Sequence, residues 1–340
     1  MSEMQKLLTI VIPVYKVEPY INKCLDSLVI APELMEKMDV LIINDGTPDN
    51  SAEMSREYVK RYPGIFRQID KENGGHGSVW NMGVREAYGK YTKFLDSDDW
   101  MENLDVMIRK LEQTDADLII TSSISHCPGN ELWKLEIKDM EFDRVYDADQ
   151  FDWLGNRSHG NYIFHHCAIY KTEMFRQYLP LFLEKQPYDD VILGAAPIIG
   201  AKTLVAWDLE VYQYLMDREG QSISLEVQRR NVKAKMKVYQ STIDFIESHP
   251  IQDAKSTKNA YFVAKLPKLY SYGHRILLDF LPYKEAKRYS KEWDMWVKER
   301  NSNMQSRWIR MFRSLPFPLY WIVYQGFMMM VALRKRLLKG

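Results

Sequence analysis

Apolar residues in the first 100 positions come in short unbroken runs separated by amphipathic stretches. Leu7 to Val14 is continuous and rich in β-branched residues, as a strand buried on both faces requires, and Pro13 is expected to end it. Ile21, Leu25 and Leu28 then mark one face of a helix. Asp39 to Ile43 repeats the strand, followed by a helix from about Asp49 to Arg61 and a short strand from Phe66 to Ile69. Val79 to Tyr88 reads as a helix that Gly89 can cap, and Tyr91 to Leu95 as another strand. Leu104, Ile108 and Leu111 return to helical spacing. Strands alternating with helices predict an α/β fold with a mostly parallel, Rossmann-like sheet and right-handed crossovers.

Beyond that point the pattern loosens. Asp115 to Ser122, Lys202 to Ala206 and Leu209 to Met216 read as strands. Asn161 to Tyr170 alternates enough to be another, and its His165-His166 pair would then point to opposite faces, one lining a pocket and one packing. Pro187 to Leu193 opens a helix with Leu193 and Ala196 on its buried side. From about Glu226 the signal is helical: Val232, Met236 and Tyr239 share a face, Ala260 to Leu281 continues with an interruption near Pro267, and Tyr283 to Arg300 follows.

Leu315 to Leu333 is uncharged, with Arg307, Arg310 and Arg313 before it and Arg334 to Arg336 after it. Pro316, Pro318, Gln325 and Gly326 weaken it as a spanning helix, and cations on both flanks set no orientation. A segment lying in the membrane interface, held by Tyr320, Trp321 and Tyr324 with arginines on anionic headgroups, suits it better. The alternative is a helix buried on the main domain or in a homodimer.

Charge changes the picture little. Lys+Arg and Asp+Glu are both 46, so no global field favours nucleic acid. Cys24, Cys127 and Cys167 are odd in number and far apart, which supports neither a disulfide framework nor a zinc site and implies a reducing compartment. The amino terminus carries Glu3 and runs straight into a strand, so it does not read as a signal peptide.

Candidate chemistry centres on Asp96, Asp98 and Asp99, with Ser97 between the first two, at a strand-to-helix turn where open α/β sheets place ligands. Clustered carboxylates repel, and a divalent cation with oxygen ligands relieves that repulsion. Taken alone, the stretch reads more readily as an acidic turn with a helix cap. An EF-hand fails: loops starting at Asp96 or Asp98 put Met101 or Asn103 where glycine is needed. The loop Asn73-Gly74-Gly75-His76-Gly77-Ser78 is not a dinucleotide fingerprint, because Trp80 stands where the third glycine belongs. Its glycines serve either a close backbone approach or a plain turn. Asp189 and Asp190, on charge placement alone, are ordinary partners of a helix amino terminus.

Together, IVIPVYKVEPYINKCLDSL, LIINDGTPDNS and ENGGHGSVWNMGVREAYGKYTKFLDSDDW resemble the nucleotide-binding half of family 2 glycosyltransferases of the GT-A fold, bacterial surface-glycan type. The resemblance implies roles residue by residue. Pro13 and Tyr15 would pack on the nucleobase, with Glu18 in the same loop, and Asp45 would accept the base N3–H, favouring uridine or thymidine. Asn73, Gly74 and Gly75 would lie near the nucleotide sugar. Asp96 and Asp98 match the DxD pair that addresses ribose, sugar and metal, with Asp98 and Asp99 as the metal positions. Asp190 matches the general base, and Asp189 stands where the family usually has Glu. Arg218 and Gln221 would reach the diphosphate.

The implied enzyme is an inverting hexosyl- or N-acetylhexosaminyltransferase that uses Mn²⁺ or Mg²⁺ and a UDP-sugar. Its acceptor would be a saccharide or lipid-linked saccharide in cell-surface glycan synthesis, met at the inner face of the cell membrane. No Gln-x-x-Arg-Trp motif follows the late aspartates, so one sugar per encounter is expected. On this reading residues 1–225 form the catalytic domain, with 1–100 its nucleotide half and 101–225 its acceptor half. Residues 226–306 form a helical module and 307–340 a membrane-associating tail. A sugar-phosphate nucleotidyltransferase would want a basic glycine-rich loop where the chain reads Pro13-Val14-Tyr15-Lys16. A catalytically inactive glycan- or membrane-binding relative would be expected to have lost the DxD or the late aspartate.

Overall fold

The computed structural model describes residues 6–127, 129, 131–135, 137, 140–154, 164–216, 225–300 and 316–325. Arg218, Gln221 and the arginines flanking the tail lie outside the described residues. The strands are β1 (Leu8–Val14), β2 (Met38–Asn44), β3 (Phe66–Asp70), β4 (Tyr91–Phe94) and β5 (Trp100–Met101), then β6 (Leu118–His126), β7 (Leu132–Leu135), β8 (Val145–Asp147), β9 (Ala168–Lys171) and β10 (Thr203–Leu215). They join one sheet in the order β3-β2-β1-β4-β9-β6-β10-β5, with β7 added to β6 and β8 to β10.

The first four of that order run parallel. β9 enters antiparallel between β4 and β6. Beyond it, β10 is parallel to β6 and antiparallel to β5 and β8. The period of two along β1 and β2 explains their unbroken apolar runs. Ile10, Ile12, Val40 and Ile42 join the core on one face, and Val11, Leu41 and Ile43 that on the other. The second core also takes in Ile243, Tyr261, Leu277 and Trp293 of the helices Val232–Ser248, Thr257–Phe280 and Tyr283–Arg300, so the helical module is sealed onto the sheet.

Several expectations change. Pro13 lies inside β1 rather than ending it. The carbonyls of Leu7 and Val11 face β4, so Pro13, two residues on, turns its missing N–H to that side. The pairing with β4 stops at Val11 and Phe94, just where Pro13 would next have to donate, and β1 runs on to Val14 through its pairing with β2. The strand foreseen over Asn161 to Tyr170 begins only at Ala168. His165-His166 sit in the turn before it with ring centroids 3.9 Å apart, not on opposite faces. The two strands expected between Lys202 and Met216 are one, β10 (Thr203–Leu215), whose register on β6 shifts between Ala206 and Glu210. The helix Thr257–Phe280 passes through Pro267 without interruption, and the carbonyl left without a donor belongs to the exposed Val263. The acidic turn leads first into β5, paired with Tyr212 and Gln213 of β10, and only then into the helix Leu104–Leu111.

Residues 317–325 form a helix with one face on the helical module. The Phe317 and Trp321 rings meet Tyr283, and the Tyr324 hydroxyl donates to Asp279 Oδ1 at 2.5 Å. Leu319, Ile322 and Val323 remain exposed on the other face. Among the described residues no helix is long and apolar enough to cross a membrane.

Candidate active site

A cavity of about 720 Å³ opens at the carboxyl ends of β1, β2 and β4, where loops leaving a parallel sheet converge. Its lining includes Pro13, Tyr15, Asp45, Asn73, Gly75, Asp96, Ser97, Asp98, Asp189 and Asp190, which brings most of the sequence candidates to one place. Gly74 and Glu18 are outside that lining. The Glu18 carboxylate accepts from the backbone and side-chain nitrogens of Asn50 at 3.1 and 3.2 Å, tying its loop to the helix Ser51–Arg61.

On the β2 side, Asp45 is 3% exposed and held from three directions. The Lys71 ammonium stands 2.6 Å from Oδ1, and the backbone N–H groups of Gly74 and Gly75 donate at 2.8 Å each. Gly75 has φ +81°, which favours glycine, and a Cβ there would press on the Lys185 backbone at 3.1 Å. The glycine-rich loop therefore presents Asp45 and receives the chain that leads to Asp189. Tyr15 leaves its ring largely open, with 43% exposure.

At the end of β4 the three aspartates separate by environment. Asp99 is buried, accepting from the Tyr212 hydroxyl at 2.6 Å and the Leu215 N–H at 2.8 Å. Burial, then the charges of Asp96 and Asp98, push its pKa well up. Asp98 lines the cavity. Asp96 receives Nε2 of His165 at 3.2 Å and Nε2 of His76 at 3.3 Å. Burial opposes its ionisation, but those two histidines outweigh it and hold the carboxyl well below the usual range. The donor set suits a divalent cation: oxygens of Asp96, Asp98 and Asp99 lie within 4.8 Å of one another, as do Asp96, His165 and His166 ligand atoms. His165 is 4% exposed and its Nδ1 has no hydrogen-bond partner among the described residues, an orphaned buried nitrogen beside that set.

Facing these groups, Asp189 and Asp190 open the short 3-10 turn Asp189–Gly194. His76 Nδ1 is 3.1 Å from Asp189 Oδ1, so this one imidazole bridges the two acid sets. Burial works against its charge, but Asp189 and then Asp96 win and raise its pKa well above that of free histidine. Asp190 is raised by burial first and by the charge of Asp189, against His165. Asn81 holds the approach to this turn. Its Oδ1 accepts from the Leu181 and Phe182 N–H groups, and its Nδ2 donates to the Phe182 carbonyl, all at 2.8–2.9 Å.

The histidine turn is pinned from below by Lys93, which is fully buried on β4. Its Nζ donates to the carbonyls of His165, His166 and Ala168 at 2.6, 3.0 and 3.1 Å. Burial brings its pKa down to about 7. Trp80 fills the space behind, its ring 4.2 Å from that of His76, 4.9 Å from His165 and stacked on Phe94 at 4.3 Å.

Both histidines of the pair line the cavity, as do His76, Tyr188, Tyr214, Gln228 and Lys235. Sequence reasoning did not single out the last five. His76 was findable as a titratable residue set among glycines, whereas Gln228 and Lys235 come from the helical module and carry no local signal.

The family described as Glycosyl transferase family 2 matches residues 9–179. Glycosyltransferase GlyA of Streptococcus pneumoniae is 31% identical over 143 residues, covering 41% of this chain and 20% of that protein. EpsJ of Bacillus subtilis, described as an uncharacterized glycosyltransferase, is 38% identical over 120 residues, or 34% of this chain and 33% of that protein. The match thus spans a third or less of these relatives' lengths. The crystal structure of S. aureus TarS 1-349 in complex with UDP-GlcNAc has a TM-score of 0.53 at 19% identity and covers 82% of each chain. That likeness is one of fold: a mixed sheet flanked by helices with a helical carboxy-terminal region, the GT-A architecture.

Proposed function

Because the chain belongs to glycosyl transferase family 2, we propose that it moves one sugar from a UDP-sugar to a hydroxyl of a saccharide or lipid-linked saccharide, with inversion at the anomeric carbon. The observation that carries this reading is the gathering of two acid sets in one cavity: Asp45, Asp96 and Asp98 at strand ends, and Asp190 on the 3-10 turn, with His76 bridging from Asp96 to Asp189. Asp45 and the open Tyr15 ring suit a uracil base. Asp96 suits the ribose or the transferred sugar. Asp98, with Asp96 and Asp99 close by, would hold Mn²⁺ or Mg²⁺, which when bound supplies Lewis-acid neutralisation of the diphosphate.

Asp190 acts as the base. It takes the proton of the acceptor hydroxyl as that oxygen attacks the anomeric carbon, and the bond to the diphosphate oxygen breaks with its electron pair leaving on UDP. The raised pKa of a buried carboxylate fits a group that must accept a proton in the reaction. Asp189, clamped by His76, positions it. Peripheral membrane attachment is assigned to the exposed Leu319, Ile322 and Val323 face of the last described helix.

Calorimetric titration with UDP, in the presence and absence of Mn²⁺, tests the donor half. Micromolar binding that tightens with the ion is expected. No detectable binding at millimolar UDP in either condition ends the reading.

A further inference from the structure

The roof of the cavity comes from a stretch unlike the rest of this charge-balanced chain. No acidic residue lies between Glu226 and Asp244, whereas Arg229, Arg230, Lys233, Lys235 and Lys237 are all cationic. Lys235 is the part of this run that enters the cavity. Among the described residues it is the single lysine or arginine in the lining, on the same side as Asp189 and Asp190.

Its surroundings are polar and aromatic. Nζ stands 4.3 Å above the Tyr188 ring and donates to Gln228 Oε1 at 3.1 Å. Both neighbours also line the cavity. Tyr188 is held there with φ 69°, a left-handed conformation that a tyrosine keeps only where its surroundings compel it. The charge of Arg230 reaches the Tyr188 hydroxyl, but Arg230 is not part of the lining. Lys233 turns away, over the ring of Tyr289.

An ammonium half removed from water, resting on a ring and an amide, gains most from an arriving anion. Burial already weakens its hold on the proton, and the charge of Asp190 only partly offsets that. On the glycosyl-transfer reading the donor diphosphate would be neutralised elsewhere, by the divalent cation that Asp96, Asp98 and Asp99 would hold at the end of β4.

Resting on the glycosyl-transfer reading above, we propose that Lys235, with Tyr188 and Gln228, forms an acceptor subsite for an anionic group, a phosphate or a carboxylate. The acceptor is then a charged glycan or polyol phosphate rather than a neutral sugar.

The test uses the full chain with UDP saturating, so that the donor phosphate positions are filled, and compares glucose 6-phosphate, glucuronate and glucose by calorimetry. The charged sugars should bind about tenfold tighter than glucose, the margin of a charge-assisted hydrogen bond. Lys235→Met should erase that margin, Lys235→Arg should keep it, and UDP affinity should stay within about twofold.

Equal binding of the three sugars by the unaltered chain overturns the proposal. So does a Lys235→Met variant that weakens UDP about tenfold, which would make the lysine a donor-phosphate residue. If Lys235→Met and Arg230→Gln lose phosphatidylglycerol vesicles while the charged-sugar margin stands, the strip is a membrane contact and the proposal fails. Repeating the comparison without UDP separates the two readings, since failure of UDP to bind then counts only against the donor assignment.

Discussion

The two rims of the cavity are held in different ways. On the rim proposed to take the donor, the groups sit within a few residues of a parallel strand end, and some are fixed by a neighbouring loop. Asp45, for instance, takes its hydrogen bonds from Lys71, Gly74 and Gly75. On the acceptor rim the groups ride on a turn, a 3-10 helix and a separate helical module. They are held by side chains reaching far along the sequence: Lys93 under the histidine turn, Asn81 on Leu181 and Phe182, and His76 on Asp189. Register makes one rim rigid, and long-range polar ties do so for the other. Changes on the donor rim should therefore cost ligand binding, while changes beneath the acceptor rim should cost the fold.

Substitution at the two rims can break that contrast. The largest effect belongs to Asp190→Asn, for which kcat should fall about 10²- to 10⁴-fold while UDP affinity is retained, as loss of a general base requires. Undiminished transfer by that variant removes Asp190 from the role. Next comes Lys93→Met, which leaves three carbonyls without their donor. It should lower unfolding free energy by about 3 kcal/mol in denaturant titrations, and a loss below about 0.5 kcal/mol would mean the tie is ornamental.

Tyr15→Ala should weaken UDP about tenfold, the scale of base stacking on an aromatic ring, without moving the thermal midpoint. A shifted midpoint with unchanged UDP affinity would reverse the comparison at that rim.

The smallest effect is in pH. Asp190 is raised by burial and by the negative charge of Asp189 and Asp96, while His165 and His76 pull it down and Lys235 faces it from the roof. Since only the ionised carboxylate accepts a proton, kcat should fall as pH drops through a midpoint above the ordinary carboxylate value of about 4. Asp189→Asn should move that limb downward by removing a like charge. A limb that stays put assigns it to another group.

The same contrast explains what could be read from the residues alone. The donor rim was legible because its chemistry is local: Asp45 and Asp96 each follow a strand that its own apolar run announces. The division of labour among the three aspartates was not, because Asp99 is claimed by Tyr212 and Leu215, more than a hundred residues on. The histidine pair was misplaced onto a strand for a related reason. Alternation over Asn161 to Tyr170 resembles a strand, but Lys93 binds the carbonyls of His165 and His166 and holds residues 164–167 as a turn. Pro13 misled because a local rule was applied without knowing where β4 would stop. Lys235 was invisible in one dimension, since nothing about a lysine in an amphipathic helix says which cavity it will cover.

Trp80 carries a last consequence. Its indole is wedged behind both His76 and His165, and these are the residues that touch Asp189 and Asp96 respectively. That one aromatic plate therefore backs the imidazole that spans the acid on either bank, as well as its neighbour. A thinner side chain there would leave both imidazoles without their backing, so a single substitution outside the cavity lining would loosen the tie between the two acid sets.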